Sequence, residues 1–228
     1  MTYSRYALYY VPPAGADWAV FATSWLGWDM VAGKAVDFPP GLDLPLSDIT
    51  RAPRRYGLHA TLKPPFRLAA GCSRKALETA CAELCATLSP LRINGLGLAR
   101  MGRFVVLEPV GPADALNRLA AECVAGLDGI RAPLSGRELT RRRAAGLSAS
   151  QEANLTRWGY PHVMGDFRFH ITLTGRLREP VLSKVGAVLA QRLAPRLPST
   201  LEIADLALAG EDGEGRFHLL RRFRFPRG

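Results

Sequence analysis

Apolar and aromatic residues crowd Arg5 to Val11 (RYALYYV), a composition that suits a pleated strand, and Pro12-Pro13 stops it. From Asp17 to Trp28 the spacing changes to threes and fours, with Trp18, Phe21, Ala22 and Trp25 on one face, which predicts a helix. Residues 33–54 carry Pro39, Pro40, Pro45 and Pro53 and predict a long, mostly irregular connection. A loop of that length inside a compact domain usually does something, such as covering a site. Tyr56 to Lys63 predicts a strand broken by Pro64-Pro65, and Ser73 caps a helix reaching Leu88. Leu91–Ala99 and Arg103–Pro109 predict two strands joined by a tight turn at Met101-Gly102. Pro112 opens a further helix to Leu127, and one or two polar helices are expected between Pro133 and Tyr160.

The second half then echoes the first. Phe167–Gly175 predicts a strand, Pro180–Arg196 a helix, and Leu201–Ala209 with Arg216–Phe225 a closing strand pair around Gly213. Strand, helix, strand, strand therefore follows each of two related tetrapeptides. The expected fold is α+β, with two similar lobes, each built like a small split βαβ sheet. Its Pro-rich and charged segments read as loops within one domain spanning residues 1–228.

Those tetrapeptides are His59-Ala60-Thr61-Leu62 and His170-Ile171-Thr172-Leu173. Side chains alternate along a strand, so each His and the Thr two residues on face one side, with the apolar residues facing the other. One such histidine would read as a satisfied core residue. Two of the chain's 4 histidines, in matching context, read as one shared site. Such a pair suits phosphoester cleavage: a neutral imidazole takes a proton from water or a hydroxyl, and a protonated one gives a proton to the leaving alkoxide. Thr61 and Thr172 supply hydroxyls to the non-bridging phosphate oxygens. No HxH, HExxH or DxD-type cluster accompanies the pair, so neither a metal nor a cofactor is expected.

Composition sets the outer bounds. With 228 residues, 48% hydrophobic and 22% charged, the chain reads as globular. It has no bilayer-length apolar run, and its first residues do not look like a signal peptide, so the expected compartment is the cytoplasm, with no membrane partner. Cys72, Cys81, Cys85 and Cys123 lack metal-knuckle spacing and read as small buried thiols. The net charge of +10 is carried almost wholly by arginine. It fits an anionic substrate such as a phosphate ester or an RNA end, or simply an arginine-rich surface.

The flanks of the motifs carry a resemblance. Arg54-Arg55-Tyr56-Gly57-Leu58-His59-Ala60-Thr61-Leu62-Lys63-Pro64-Pro65-Phe66 is one such stretch; Arg131-Ala132-Pro133-Leu134, Trp158-Gly159-Tyr160-Pro161 and Phe167–Thr174 are others. Across essentially its whole length the chain resembles the two-histidine (2H) phosphoesterase superfamily, in the branch of phosphonate-metabolism proteins formerly described as a domain of unknown function. The resemblance implies a bilobal α+β fold with a central cleft and metal-independent opening of a cyclic phosphodiester. In the phosphonate setting that is a cyclic ribose phosphate. It also implies catalytic roles for His59, His170, Thr61 and Thr172.

Neighbouring residues supply candidates for substrate binding. Lys63 and Arg168 lie two residues from Thr61 and His170 on the same strand face, where they would reach phosphate, cap the strand end or wall the site. Thr174 would extend the polar lining, and Tyr9 would line the cleft from the first strand unless it simply packs. Tyr56, three before His59, would face away into the core. Arg141-Arg142-Arg143 reads as a solvated face, with a phosphate clamp as the alternative. Trp158 and Tyr160 read as core anchors, or as stacking partners for a base or sugar. His162 and His218 lack the following Thr and read as structural. Two other functions compete: an enzyme acting on RNA 2′,3′-cyclic ends or 2′-5′ linkages, and a catalytically silent phosphate- or RNA-binding module. The partner expected is a small phosphorylated substrate, with RNA as the alternative; nothing in the sequence bears on oligomeric state.

Overall fold

The computed structural model describes residues 2–144 and 146–226. Its main sheet has seven strands: β1 (Arg5–Tyr10), β2 (Ala60–Phe66), β3 (Leu96–Met101), β4 (Phe104–Pro109), β5 (Ile171–Thr172), β6 (Asp205–Glu211) and β7 (Phe217–Arg224). Their order is β7-β6-β1-β2-β5-β4-β3, and every neighbouring pair is antiparallel. The longer helices are α1 (Asp17–Leu26), α2 (Arg74–Ala86), α3 (Asp114–Gly126), α4 (Gly136–Arg143), α5 (Ala149–Trp158) and α6 (Val181–Arg192).

Alternation along β1 divides the molecule into two faces. Tyr6, Leu8 and Tyr10 join the main core with the apolar stripes of α1, α2, α3 and α6, among them Trp25, Leu77, Leu116 and Leu189. Ala7, Tyr9 and Val11 point the other way and pack with Trp28, Met30, Ala207, Ala209 and Phe217 in a smaller cluster. Helices thus cover one face, and the second face is left to the site. α4 and α5 bury only Leu155 between them and owe their starts to capping boxes, Ser135 with Glu138 and Ser148 with Gln151.

The repeat of element order is as expected: β2, α2 and the β3–β4 hairpin, then β5, α6 and the β6–β7 hairpin. The lobes are not self-contained, however. The hairpin that follows the first motif pairs with the second motif's strand, β4 on β5, while the closing hairpin pairs with β1 beside β2. The halves exchange hairpins and fuse into one sheet through the β2–β5 seam. Leu91–Ile93, expected to be part of β3, instead forms a separate ladder with Leu201–Ile203, a second link between the halves.

Two local expectations are also revised. β2 starts at Ala60 and runs on through Pro64-Pro65 to Phe66. The prolines cost little there, because the β1–β2 register shifts between Tyr6 and Leu8 and the other edge of β2 is unpaired beyond Ala60. Residues 33–54 contain two short helical segments, Leu46–Ile49 and Arg51–Arg54. Leu46 and Ile49 are buried in the main core, and Gly175 N–H donates to Ile49 O at 2.7 Å. The helical part of the connection therefore seals the helix-covered face, while its start, at Gly33, lies against His218.

Candidate active site

The two motifs meet at the seam. Ala60 and Ile171 are directly opposed across β2 and β5, and both side chains are fully buried on the helix-covered side. Extending that register by one residue each way sets His59 opposite Thr172 and Thr61 opposite His170, all four on the other face. The two histidines are then diagonal neighbours across the seam, close enough for the charge of His170 to act on His59. Each histidine faces the other motif's threonine.

Both imidazoles are held alike. His59 Nδ1 lies 2.9 Å from Gly57 O, and His170 Nδ1 lies 2.8 Å from Arg168 O, in each case the carbonyl two residues back. A carbonyl only accepts, so Nδ1 carries the proton in both rings and Nε2 is left for chemistry. His59 Nε2 in turn accepts from the Thr61 hydroxyl at 3.1 Å. Gly57 allows this geometry: its φ is 71°, and a Cβ there would stand 2.7 Å from Met30 Cβ.

His59 is partly buried against two rings. The Tyr9 ring centroid is 3.9 Å from that of His59 and the Tyr56 centroid 5.9 Å, with Phe217 stacked on Tyr56 at 5.0 Å. Burial lowers the His59 pKa from 6.5 to about 4, the Gly57 hydrogen bond opposes this, and the charge of His170 pushes the same way as burial. His59 is thus a neutral imidazole at pH 7, and the two rings sense one another's charge.

The structure sorts the candidate binding residues. Lys63 is opposed to Leu8 and Thr61 to Tyr9, so β2 uses one more residue than β1 between these pairs, and this bulge turns Lys63 onto the core side. It is 2% exposed, and its Nζ donates to Val124 O at 2.9 Å. Thr174 is fully buried and accepts from Val105 N–H at 3.0 Å, so its hydroxyl is committed to the sheet and does not line the site. Arg168 is exposed and lies three residues before β5 begins, and the contact it makes with His170 is through its backbone carbonyl. Tyr9 is fully buried and meets His59, leaving no exposed surface for a substrate.

Tyr56 flanks His59 rather than facing away, because residues 55–59 form a turn around Gly57 in place of the expected strand. Phe217 had no signal in the sequence, since it arrives from the far hairpin. Cys81, Cys85 and Cys123 are buried thiols whose pKa values burial pushes up, to about 12 for Cys81 and Cys85. His218 pairs with Asp212 at 2.7 Å beside Trp28, and exposed His162 packs edge-on to Tyr160. Neither joins the seam. Among the described residues, no group of three or more His, Cys, Asp or Glu is placed to hold a metal ion, and no helix is long and apolar enough to cross a membrane.

Two curated relatives, from Janthinobacterium sp. (strain Marseille) and Laribacter hongkongensis (strain HLHK9), bear the name ribose 1,5-bisphosphate phosphokinase PhnN. The first is 37% identical over 93% of this chain and 48% of its own length; the second is 35% identical over 77% and 41%. The chain therefore spans less than half of each. Similar solved structures include E. coli LigT in its apo form, 15% identical with a TM-score of 0.47 over 100% of both chains. TT0787 of Thermus thermophilus is 19% identical with a TM-score of 0.46 over 97% of each. The family described as protein of unknown function (DUF1045) matches residues 61–218, from the threonine of the first motif past the whole of the second, and the chain belongs to it.

Proposed function

We propose that the chain is a phosphoesterase that opens a cyclic phosphodiester by acid–base catalysis, with His59 as base and His170 as acid. The observation that carries the reading is the β2–β5 seam, where two identical His-x-Thr units face each other with both Nδ1 atoms tied to carbonyls. Neutral His59 takes a proton at Nε2 from the attacking water, the new P–O bond forms, and the bond to the ring oxygen breaks. Protonated His170 gives its Nε2 proton to that oxygen, leaving a phosphomonoester and a free hydroxyl. Charge on one ring disfavours charge on the other, so the two rings resist being charged together. On substrate binding the Thr61 hydroxyl turns from His59 Nε2 and, with that of Thr172, donates to the non-bridging oxygens, where charge grows in the transition state.

The relatives' name supports a substrate of the ribose phosphate class. It does not carry kinase chemistry to this chain, which covers under half of each relative. The sequence also has no Gly-x-x-x-x-Gly-Lys-Ser/Thr phosphate loop; its one Gly-Lys pair, Gly33-Lys34, has Trp28 where the first glycine would stand. The test is a screen of ribose 1,2-cyclic and nucleoside 2′,3′-cyclic phosphates against the wild type, His59→Ala and His170→Ala. Each variant should lose about 10²–10⁴-fold in kcat with its fold intact, and EDTA should leave the wild type unaffected. Full activity in either variant overturns the proposal.

A further inference from the structure

Just past the end of β2, Arg67 and Leu68 pair with the segment that opens at Arg131. Ala132 N–H donates to Arg67 O at 2.8 Å, and Leu68 forms a bridge with Arg131. Between sheet and segment lies a recess lined by Arg5, Arg67, Arg131, Arg141, Arg142 and Tyr160, with Glu138 the one carboxylate in its wall. Three of these guanidiniums are matched: Arg5 by Glu211, Arg67 by Glu138 and Arg131 by Asp128. Arg141 and Arg142 form no ion pair among the described residues, although Arg143 beside them binds Glu152.

Arg142 is the telling member. Its guanidinium stands 4.8 Å over the Tyr160 ring, and its Nε is buried without a hydrogen-bond partner. A buried donor left unmatched is costly, and more so on a charged group, so the recess lacks an acceptor. Burial lowers the Arg142 pKa; Tyr160 and Glu138 oppose this, while Arg141 and Arg5 add to it. A chain of rings links the recess to His59: Arg5 stands 5.9 Å over Phe217, which stacks on Tyr56 at 5.0 Å and lies 5.9 Å from Tyr9, and Tyr9 and Tyr56 are the rings against His59. The buried Tyr9 hydroxyl also has no hydrogen-bond partner. The recess volume of about 30 Å³ accommodates a few water-sized groups, which suits a small anionic head rather than a nucleobase.

We propose that this recess binds a second, non-reacting phosphate of the substrate, so that the preferred substrates are small cyclic phosphoesters that also carry a phosphate monoester. Clustered guanidiniums match a tetrahedral dianion, and grip on that remote group holds the cyclic ester against the histidines. The inference rests on the phosphoesterase reading of His59 and His170 for its substrate, but not for the anion site itself.

The experiment compares ribose 1,2-cyclic phosphate with its 5-phosphorylated form, using wild type, Arg142→Gln and Arg142→Lys, with melting temperatures to establish folding. The wild type should favour the phosphorylated ester, and Arg142→Gln should cut that preference by about tenfold or more, chiefly through KM. Arg142→Lys should restore part of it, because charge remains but the fork is lost. Equal turnover of both esters by the wild type, or an equal loss on both in Arg142→Gln, overturns the proposal. Calorimetric titration of inorganic phosphate into the His59→Ala/His170→Ala double variant, with and without Arg142→Gln, reads the recess without catalysis. Binding that weakens with Arg142→Gln upholds the anion site even if no cyclic ester is turned over; binding indifferent to Arg142 removes it.

Discussion

Replacing Lys63 by methionine separates a phosphate-binding lysine from one folded into the core. In the structure Lys63 Nζ is buried against Val124 O, and burial lowers its pKa from 10.5 to about 8. That drop corresponds to about 3 kcal/mol less affinity for the proton in the folded chain than in the unfolded one. Because the folded-state value is the lower one, the penalty is fully present below pH 8 and disappears as pH rises towards 10.5. Wild-type stability should therefore gain about 2 kcal/mol relative to Lys63→Met between pH 7 and pH 10. At pH 7 the two should differ by only about 1–2 kcal/mol, since losing the buried charge offsets losing the bond to Val124 O. Urea unfolding of both proteins at the two pH values measures the difference. Turnover of a cyclic ester without a second phosphate should change little; that substrate is chosen because Lys63 also borders the arginine recess. A stability difference that is flat with pH, or a hundredfold loss of activity in a folded variant, would refute the core assignment.

Thr61→Val and Thr172→Val should each lower kcat by about 10–10³-fold with little change in melting temperature, as measured by steady-state kinetics and thermal unfolding. The acid limb of the rate profile should lie near the His59 value of about 4, and Tyr56→Ala should move it up towards 6.5 by admitting water to the ring. Since the folded-state value is again the lower one, His59 also makes stability fall as pH drops from 6.5 towards 4, and His59→Ala should flatten that part of the curve. Gly57→Ala should cost more than 1 kcal/mol, because it combines a positive φ with a close approach to Met30, and should reduce kcat by displacing the His59 anchor.

What was legible in the sequence is what depends on near neighbours. The shared face of His59 with Thr61 and of His170 with Thr172 follows from strand alternation, and the start of α2 follows from Ser73 as its cap. Lys63 was misplaced because the extra β2 residue shows only against its partner strand: the same alternation that places Thr61 misleads two residues later. Tyr56 was misplaced because Gly57, read as part of a strand, is a left-handed turn. Phe217 reaches Tyr56 and Tyr9, and Arg5 and Arg67 reach the recess beside Arg142, from positions remote in sequence, beyond what any local period conveys.

The exchange of hairpins also determines when the molecule can assemble. Arg5 on β1 binds Glu211 on β6, 206 residues later, and Tyr9 rests on Phe217. During synthesis, β1 stays without one of its two partners until Asp205–Glu211 has been made, and neither histidine strand can be completed from its own half. Such long-range closure makes folding slow, and it keeps an apolar strand edge available to other chains in the meantime. The arrangement that joins both halves in one sheet thus ties the completion of β1, which flanks the seam strand β2, to a hairpin made long after it.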